Sequence, residues 1–494
     1  MMAKIYPTIR TRCKRGLVSA AVLGLTAYAG QAVPEANYTS LPEADGMSVL
    51  IPAQVSDEGE ALFYNQALYH RDYSAVQHAL ASAGRVMRSS EMGHEAYHPE
   101  LSGEPMRLQG DRWLQVMQAA NSFLNDDRFA GTQVQQNGQW QPGRDLRLNE
   151  LAQAAFSYHM HHSAGRWQDA GLYVPLTYSP ADYLTAIPRH LRHNYYQDGA
   201  YHKQGEVTQA SMAYGLDVLH SLSYSWIRWN KPGGADDMGQ LTEVYMSNVH
   251  DITREGLLTE ARELAATLDA AWNADTTSYD FGQGSEYSLD ELGSLVRGNK
   301  GLYEILYVFG NAEDQQTAEQ LFNRKADMLL AVLTSDAVIQ PWGMVSRLNF
   351  TSDGVQAASD RVETETQWRF VNHLTGGFGP LREREGTSSF LETRPELGEA
   401  IGRVNDQLFQ AALDYQLNDD LMVRRLDFTS GEVTDARKQV ASIAWYVTAV
   451  GNGYRSGDRF DRPGSWEGDP ELEARSRALY DSLRANNTWL LERL

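Results

Sequence analysis

Apolar residues recur at helical spacing along most of the chain, from about residue 57 to the C-terminus. In the last such segment, Leu472, Leu479 and Leu483 fall on one face of a helix. Two segments place a capping residue before a proline, at Ser179-Pro180 and at Asp469-Pro470, which is typical of a helix start. With these two, the pattern predicts twelve helices, and the other ten lie near residues 58–86, 110–124, 147–163, 206–228, 240–272, 289–308, 315–334, 362–374, 395–416 and 436–450.

The connections between these segments carry turn residues, such as Asn137-Gly138 and Gly376-Gly377. Strand-like alternation is limited, and residues 338–350 are the best candidate. No repeat of fixed period is present, which argues against a short-repeat solenoid. The pattern predicts a mainly α protein, an α/α toroid of about six helical hairpins in an incomplete or complete ring, with little β structure. An open helical array is the alternative; the toroid is favoured because a closed ring buries every helix on two sides and leaves a central cleft.

The N-terminus has the features of an export signal. Residues 1–15 contain five basic residues and no acidic one, and residues 16–30 are apolar or small. This apolar stretch is short for a membrane span, although an uncleaved anchor is the alternative. We therefore expect a signal peptide at 1–32, an extended lead-in at 33–56, a single helical domain at 57–494, and a periplasmic or secreted bacterial protein.

Charge and cysteine content narrow the possible partners. The chain has a net charge of −21, and removal of residues 1–32 would make it −26. Such a surface disfavours nonspecific binding to nucleic acid or to an anionic membrane. Cys13 is the one cysteine and lies inside the predicted signal, so the remaining chain has no disulfide. No later stretch is apolar enough to cross a bilayer, and we expect no membrane insertion after signal cleavage.

The segment from residue 189 to residue 204 is unusually basic and rich in histidine and tyrosine for so acidic a chain. Sugars are bound by flat rings for their apolar face, polar groups for their hydroxyls and cations for their carboxylates. The predicted substrate-binding residues are Arg189, Arg192, His193, Asn194, Tyr201 and Gln204. The alternative is a surface loop with bases near a helix end. On the first interpretation, this segment is the main candidate for recognition of an acidic sugar.

The helix that follows this segment has a distinct tyrosine. Met212, Leu216 and Leu219 form one apolar stripe, and Tyr214 points away from the centre of that stripe. In a toroid, the opposite face of such a helix can face the cleft. Tyr214 is therefore a candidate cleft residue.

Three short motifs in this region resemble the polysaccharide lyases that act on hyaluronate, chondroitin and xanthan. They are Asp198-Gly199-Ala200-Tyr201, Gln204-Gly205 and Ala213-Tyr214-Gly215, and downstream Val296-Arg297-Gly298-Asn299 resembles the segment that supplies the family's catalytic arginine. The family's catalytic histidine corresponds to the neighbourhood of His202 and Gln204. The resemblance covers about forty central residues and the Arg297 segment, and it implies an α/α toroid and β-elimination on a uronic-acid polysaccharide. The family's large C-terminal β-sandwich has no counterpart here.

The implied chemistry begins at the carbon beside a uronate carboxylate. Neutralising that carboxylate stabilises the carbanion that forms. Candidates for this role are Arg297, Asn194, His193 and Arg192. Tyr214 would act as base and acid if a nearby cation lowers its pKa, with His202 as base or positioning partner. The expected function is an exported lyase of an acidic glycan that needs no metal or cofactor.

Other side-chain groups leave two further function classes open. Glu363, Glu365, Asp290 and Glu291 could supply the paired carboxylates of a glycoside hydrolase. A noncatalytic glycan-binding protein is the other class. His159 and His162 are spaced for one helix face but have no evident third metal ligand. Asn372-His373 resembles an Asn-His pair useful in lyases, although a helix end before Gly376-Gly377 explains it as well.

Overall fold

The computed structural model describes residues 38–39, 49–56, 59–88, 104–125, 128–161, 187, 189–229, 253–377, 393–456 and 470–494. The chain divides into two compact units, Met1–Asn37 and Tyr38–Leu494, and all described residues lie in the second. The predicted signal peptide at 1–32, the helix start at Ser179 and the residue His162 lie outside the described residues.

Helices dominate the described part of the chain. In chain order they are α1 (His70–Arg88), α2 (Glu104–Asn121), α3 (Leu148–His161), α4 (Gln209–Trp229), α5 (Arg254–Ala271), α6 (Leu289–Phe309), α7 (Ala312–Leu333), α8 (Thr364–Gly377), α9 (Pro395–Ala411), α10 (Val440–Ser456) and α11 (Pro470–Glu492). A π-helical turn, Ala412–Gln416, extends α9. Within the part that the structure describes, no helix is long and apolar enough to cross a membrane.

The strands are short and pair in antiparallel fashion. They are β1 (Tyr38–Thr39), β2 (Gln54–Val55), β3 (Ala61–Tyr64), β4 (Ala67–Tyr69), β5 (Leu124–Asn125), β6 (Arg128–Phe129), β7 (Thr132–Gln136), β8 (Gln139–Pro142), β9 (Tyr196–Gln197), β10 (Ala200–Lys203), β11 (Glu206–Val207), β12 (Trp272–Asn273), β13 (Ser278–Tyr279), β14 (Glu286–Ser288), β15 (Ile339–Gln340), β16 (Gly343–Met344), β17 (Arg347–Thr351), β18 (Gly354–Ala357), β19 (Arg361–Glu363), β20 (Leu417–Asn418), β21 (Leu421–Met422), β22 (Arg425–Asp427), β23 (Val433–Asp435) and β24 (Lys438–Gln439).

Six helices form a closed inner ring. Each packs against the next in the order α1, α3, α4, α6, α8 and α10, and α10 packs back against α1. The remaining described helices lie outside this ring: α2 packs on α1, α5 and α7 on α6, α9 on α7, and α11 on α10 and α1. The α/α toroid predicted from the sequence is therefore confirmed, and the ring is complete.

Small residues set the closest approach within the ring. On α6, a Cβ added at Gly298 would lie 2.6 Å from the Leu216 Cβ and 2.7 Å from the Asp217 backbone nitrogen on α4. A Cβ at Gly301 would meet the backbone of His220. Because both glycines lack a side chain, α4 and α6 pack backbone to backbone. Their facing polar side chains are thereby held in a fixed relation.

The short strands form a rim at one end of the ring. β4, β11, β14, β19 and β24 each lead directly or almost directly into an inner helix. All of them except β11, which pairs with β10 of its own hairpin, pair with a strand that precedes a neighbouring inner helix. The N-terminal ends of the inner helices therefore gather at this end, which we call the mouth. The predicted lead-in at 33–56 is extended where it is described, and β1 and β2 tie it into the rim.

Candidate active site in the ring

The interior of the ring is polar. Buried residues on the inner helices include Asp72, Gln77, Gln153, Asp217, Arg297, Arg369, Asn372 and His373. Several of them interact across helices that are not neighbours in the ring, so their side chains face its centre. Burying charged groups is costly unless they are paired or serve a function, and the ring interior is accordingly the candidate site.

Four charged side chains in the first turns of three inner helices lie within electrostatic reach of one of them, Asp72, at the mouth. This mouth cluster consists of Arg71 and Asp72 on α1, Glu150 on α3 and Glu365 on α8. The Arg71 Nε lies 3.6 Å from one Asp72 carboxylate oxygen, and Gln439 donates to Glu365 at 3.3 Å. Asp72 and Glu150 are buried, whereas Arg71 and Glu365 are partly exposed. The cluster thus combines carboxyl groups and a cation that solvent reaches.

The Asp72 carboxyl group is protonated more readily than an ordinary aspartate. Burial raises its pKa to about 7, the negative charges of Glu365 and Glu150 add to this, and Arg71 opposes it. Its second oxygen, Oδ2, is buried with no hydrogen-bond partner among the described residues. A carboxyl group with such a pKa can donate a proton near neutral pH.

An aromatic ring and two cations border the mouth cluster. The guanidinium carbons of Arg71 and Arg144 lie 5.2 Å and 5.7 Å from the centroid of the Tyr69 ring. Arg144 also binds Glu150 through both terminal nitrogens, so this carboxylate is already engaged. Arg71 contacts Asp72 over a longer distance, and the charges of Glu365 and Glu150 also act on it.

Arg369 crosses the ring just below the mouth. From α8, its Nη1 lies 2.8 Å from an Asp290 oxygen on α6. Gln153 lies on α3, at the opposite side of the ring. With its amide oxygen turned toward the guanidinium, it accepts hydrogen bonds from both terminal nitrogens of Arg369, at 2.9 Å and 3.2 Å. The guanidinium also lies 5.4 Å from the Trp445 ring on α10. One side chain thus connects four of the six inner helices.

Tyr214 is part of the same network. Its hydroxyl donates to Asp290 Oδ2 at 2.8 Å. Burial raises the pKa of this phenol well above its ordinary value, the charges of Asp290 and Glu291 raise it further, and Arg369 opposes them. The phenol therefore keeps its proton, which suits a hydrogen-bond donor better than a base.

Arg297 belongs to a deeper layer. Its Nε donates to Asp217 on α4, and the other Asp217 oxygen lies 4.0 Å from His373 Nε2 on α8. Burial, together with Arg297 and Arg369, lowers the pKa of His373 well below its ordinary value, so this imidazole is neutral. Arg297 is 1% exposed. The deeper layer is therefore a buried ion pair with a neutral histidine beside it.

Two of the predicted binding residues anchor their segment to an outer helix. Arg192 Nη2 donates to Glu260 of α5 at 2.5 Å, and the Tyr201 hydroxyl donates to the same carboxylate at 3.1 Å. Tyr201 is fully buried, with its ring against Gly215. Both side chains therefore point toward α5.

The other predicted binding residues lie on or before the β9–β11 hairpin. His202 Nε2 lies 3.0 Å from the Gln197 carbonyl oxygen and its Nδ1 lies 3.4 Å from that of Gly205. The exposed side chains are those of His193, Asn194 and Gln204, and Arg189 is half-buried. The structure does not bring His202 into the network of Tyr214. The roles of these residues stay predictions.

Tyr214 and Arg297 do both face the ring interior, on neighbouring helices, but they have different partners and lie in different layers.

Sequence reasoning missed Asp72, Glu150 and Arg369. A signal for Asp72 and Glu150 exists, because each is an acidic residue in the first turn of a helix. Only the ring closure brings them together.

No metal site accompanies this network in the part of the chain that the structure describes, where no three histidine, cysteine, aspartate or glutamate side chains are grouped to hold an ion. The side chains of His159 and His161 lie outside the described residues.

Comparison with known proteins gives similar structures but no matching sequence family. No family model matches the chain, and no curated protein matches it at a significant level. A D-mannose isomerase structure is similar at a TM-score of 0.46 and 10% identity, covering 84% of this chain and 93% of that chain.

Two further solved structures are similar at the same level. A sugar epimerase from a ruminal bacterium has a TM-score of 0.44 and 10% identity, covering 81% of this chain and 91% of that one. An unsaturated glucuronyl hydrolase specific for heparin has a TM-score of 0.43 and 11% identity, covering 83% and 91%. The mouth cluster is therefore interpreted from its own chemistry.

Proposed function

We propose that this protein hydrolyses a glycosidic bond of an acidic glycan at the mouth cluster, with Asp72 as general acid and Glu365 as general base. The observation that supports the proposal is the buried Asp72, whose carboxyl group lies within the electrostatic reach of carboxylates from two other inner helices. It occurs at the end of the ring where Arg71 and Glu365 are partly exposed. Glycoside hydrolysis needs two carboxyl groups, one protonated to act as an acid and the other ionised to act as a base or nucleophile.

The reaction would run in one balanced sequence. Asp72 gives its proton to the glycosidic oxygen as the bond to the anomeric carbon breaks. Glu365 accepts a proton from the water that attacks this carbon. The products are a new reducing end and a shortened glycan, and the cycle closes when Glu365 releases its proton to solvent and Asp72 regains one from solvent.

The partly exposed Arg71 supports an acidic substrate. Asp72 is largely neutral below about pH 7, so the acidic charges that remain near Arg71 are those of Glu365 and Glu150. A sugar carboxylate can bind the exposed part of the Arg71 guanidinium by charge-assisted hydrogen bonds.

The test is to incubate the protein with uronate polysaccharides and to follow reducing ends and ultraviolet absorbance together. We expect reducing ends without absorbance, and Asp72→Asn should lower the rate by about 10² to 10⁴. Glu363→Gln is the matched control, because Glu363 lies two residues from Glu365 but pairs with Arg425 in the rim. Products from the wild type that Asp72→Asn forms equally fast would refute the assignment.

β-Elimination is the second candidate, and the position of Tyr214 beside Arg369 favours it. An elimination product absorbs in the ultraviolet, and Tyr214→Phe would then abolish the reaction. For hydrolysis, we expect Tyr214→Phe to cost only about ten- to a hundredfold, since one hydrogen bond to the Asp290 carboxylate is lost. A protein that binds the glycan and forms neither product would be a binding protein.

We also propose that the protein is exported to the periplasm or beyond. The support is the basic and apolar character of residues 1–32. Mass spectrometry of the protein from a cell fractionation should find a mature chain that begins near residue 33. Full-length chain in the cytoplasmic fraction would contradict this.

A further inference from the structure

The rim of strands surrounds the mouth on four sides by backbone pairing. The linked segments precede α1 and α10 (β2 with β24), α1 and α3 (β4 with β7), α6 and α8 (β14 with β17), and α8 and α10 (β19 with β22). Each pairing joins two neighbouring inner helices at their N-terminal ends. On these four sides, backbone hydrogen bonds therefore join the described segments that lead into adjacent inner helices.

Side-chain hydrogen bonds join the remaining two sides. Between α3 and α4, the Tyr195 hydroxyl donates to the Leu146 carbonyl oxygen at 3.1 Å. Between α4 and α6, the Gln209 side chain donates to the Gly284 carbonyl oxygen. The segments that precede the six inner helices are thus linked all the way around. A glycan chain lying across the mouth would need two opposite gaps in this rim.

The mouth also has a floor. Arg369 is 3% exposed and connects α8 to α3, α6 and α10 across the centre of the ring. A chain that threads through the ring would have to displace this guanidinium and leave Asp290 without its cation. Breaking a buried ion pair in this way is strongly unfavourable.

Two more polar layers lie beneath the floor. Asp217 joins Arg297 and His373, as described above, and all three side chains are buried. Farther along the helices, the Asn452 amide donates to Asn372 at 2.5 Å and the Ser82 hydroxyl donates to Asn452 at 3.4 Å. Side chains of the described residues therefore bridge the ring interior at several depths.

General helix dimensions give a ring of six inner helices a central space comparable to one sugar residue. If neighbouring inner helices are about 9 Å apart, each helix axis of a six-helix ring lies about 9 Å from the centre of that ring. A helix with its side chains has a radius of about 5 Å. The central space is then about 8 Å across. That is comparable to a single pyranose ring and too narrow for a folded-back chain.

From the closed rim and the Arg369 floor, we infer that the mouth is a blind pocket that admits only the terminal residue of a glycan chain. The protein would therefore remove sugars from a chain end rather than cut within the chain. This inference rests on the proposed function, because it concerns how the same site meets its substrate.

Binding stoichiometry tests the pocket without relying on turnover. Asp72→Asn would be titrated calorimetrically with size series of oligogalacturonates, oligomannuronates and hyaluronan fragments. For the series that binds, we expect one protein molecule per glycan chain at every length. A number of bound proteins that rises with chain length would overturn the inference, because it would show binding within the chain.

Product analysis with the wild type separates this inference from the proposed reaction. We expect one small product from the first minutes, while the polymer shortens slowly. A broad ladder of fragments would overturn the pocket but leave the hydrolase intact. Binding at one protein per chain without any product would support the pocket and refute the reaction.

Discussion

The Asp72 carboxyl group sits where α1 begins, buried among carboxylates of α3 and α8. The same burial that keeps its proton also makes its ionised form costly. A group of this kind is useful to a proton-transfer reaction and unfavourable for stability. The effect of Asp72 on the reaction and its effect on stability can be separated by changing the pH and by replacing Asp72 with an uncharged residue.

Asp72→Asn should stabilise the fold at alkaline pH. The folded pKa of Asp72 is raised to about 7 from 3.8, so the stability that its proton provides is fully present below pH 3.8. It is lost as the pH rises through about 7. The loss is at most about 4 kcal/mol, at 1.36 kcal/mol per pKa unit.

Thermal unfolding at pH 4 and at pH 8 measures this effect. We expect a higher midpoint for Asp72→Asn at pH 8 and a small difference at pH 4, with Glu363→Gln as control. An equal shift at both pH values would mean that Asp72 is not buried as a protonated acid.

The Arg297–Asp217 pair should behave as a structural ion pair. Asp217→Asn leaves the guanidinium charged and buried without its partner, which should cost about 3–5 kcal/mol. The double variant Arg297→Met with Asp217→Leu removes both charges and should regain most of this. Urea unfolding midpoints of the three proteins measure the difference.

Activity of that double variant tests the catalytic role that the lyase resemblance implies for Arg297. Since we place the chemistry at the mouth, we expect product formation within about tenfold of wild type, as for other changes without contact to substrate. A double variant that folds but is inactive would support a catalytic role for Arg297.

At the residue scale, sequence identified some interior side chains and not others. Tyr214 was predicted from its place opposite an apolar stripe, and it does face the ring. Asp72 shares its first-turn position with acidic residues of other helices, so that position does not single it out, and Arg369 has no distinctive position. The importance of both comes from partners about 80 residues or more away in the chain. Spacing along a chain cannot reveal a pKa that distant carboxylates and burial set.

Among the elements, α4 and α6 make the closest contact in the ring. Gly298→Ala would place a methyl group against the α4 backbone, where no flexible side chain can move aside. We expect a loss of about 1–3 kcal/mol from this overpacking. Gly402→Ala in α9 is the matched control, since nothing lies within 4 Å of its added Cβ.

That control should stabilise the protein by about 0.5–1 kcal/mol, through the better helix propensity of alanine. Chemical denaturation compares the two variants directly. Similar changes in both would show that the α4–α6 contact is looser than described.

The helices were largely predictable and the strands were not. Amphipathic spacing is a local property, so α6 and α11 appear in the sequence with nearly their true limits. The segment predicted as a helix from residue 58 instead forms β3 and β4 before α1. Asn65 and Gln66 form the turn between these two strands, with φ values of 50° and 54°. Strands of only two to four residues are hard to predict because they depend on pairing partners elsewhere in the rim.

For the whole molecule, the net charge of −21 opposes the cations at the mouth. An anionic glycan approaching from solution first meets the overall negative field, and it meets Arg71 only on entering the pocket. Raising ionic strength from about 0.01 M to about 0.15 M shortens the Debye length from about 30 Å to about 8 Å. The long-range repulsion is then screened, while contacts inside a partly buried pocket are screened much less.

Salt should therefore accelerate binding. When an enzyme and its substrate carry opposite charges, by contrast, salt screens their attraction and slows binding. We expect the association rate of Asp72→Asn with a uronate oligosaccharide, measured by stopped flow, to rise several-fold over this range. A neutral oligosaccharide of equal length should show no such change. A rate that falls with salt would mean that the mouth cations dominate the field well outside the pocket, and that the acidic surface lies on other faces of the molecule.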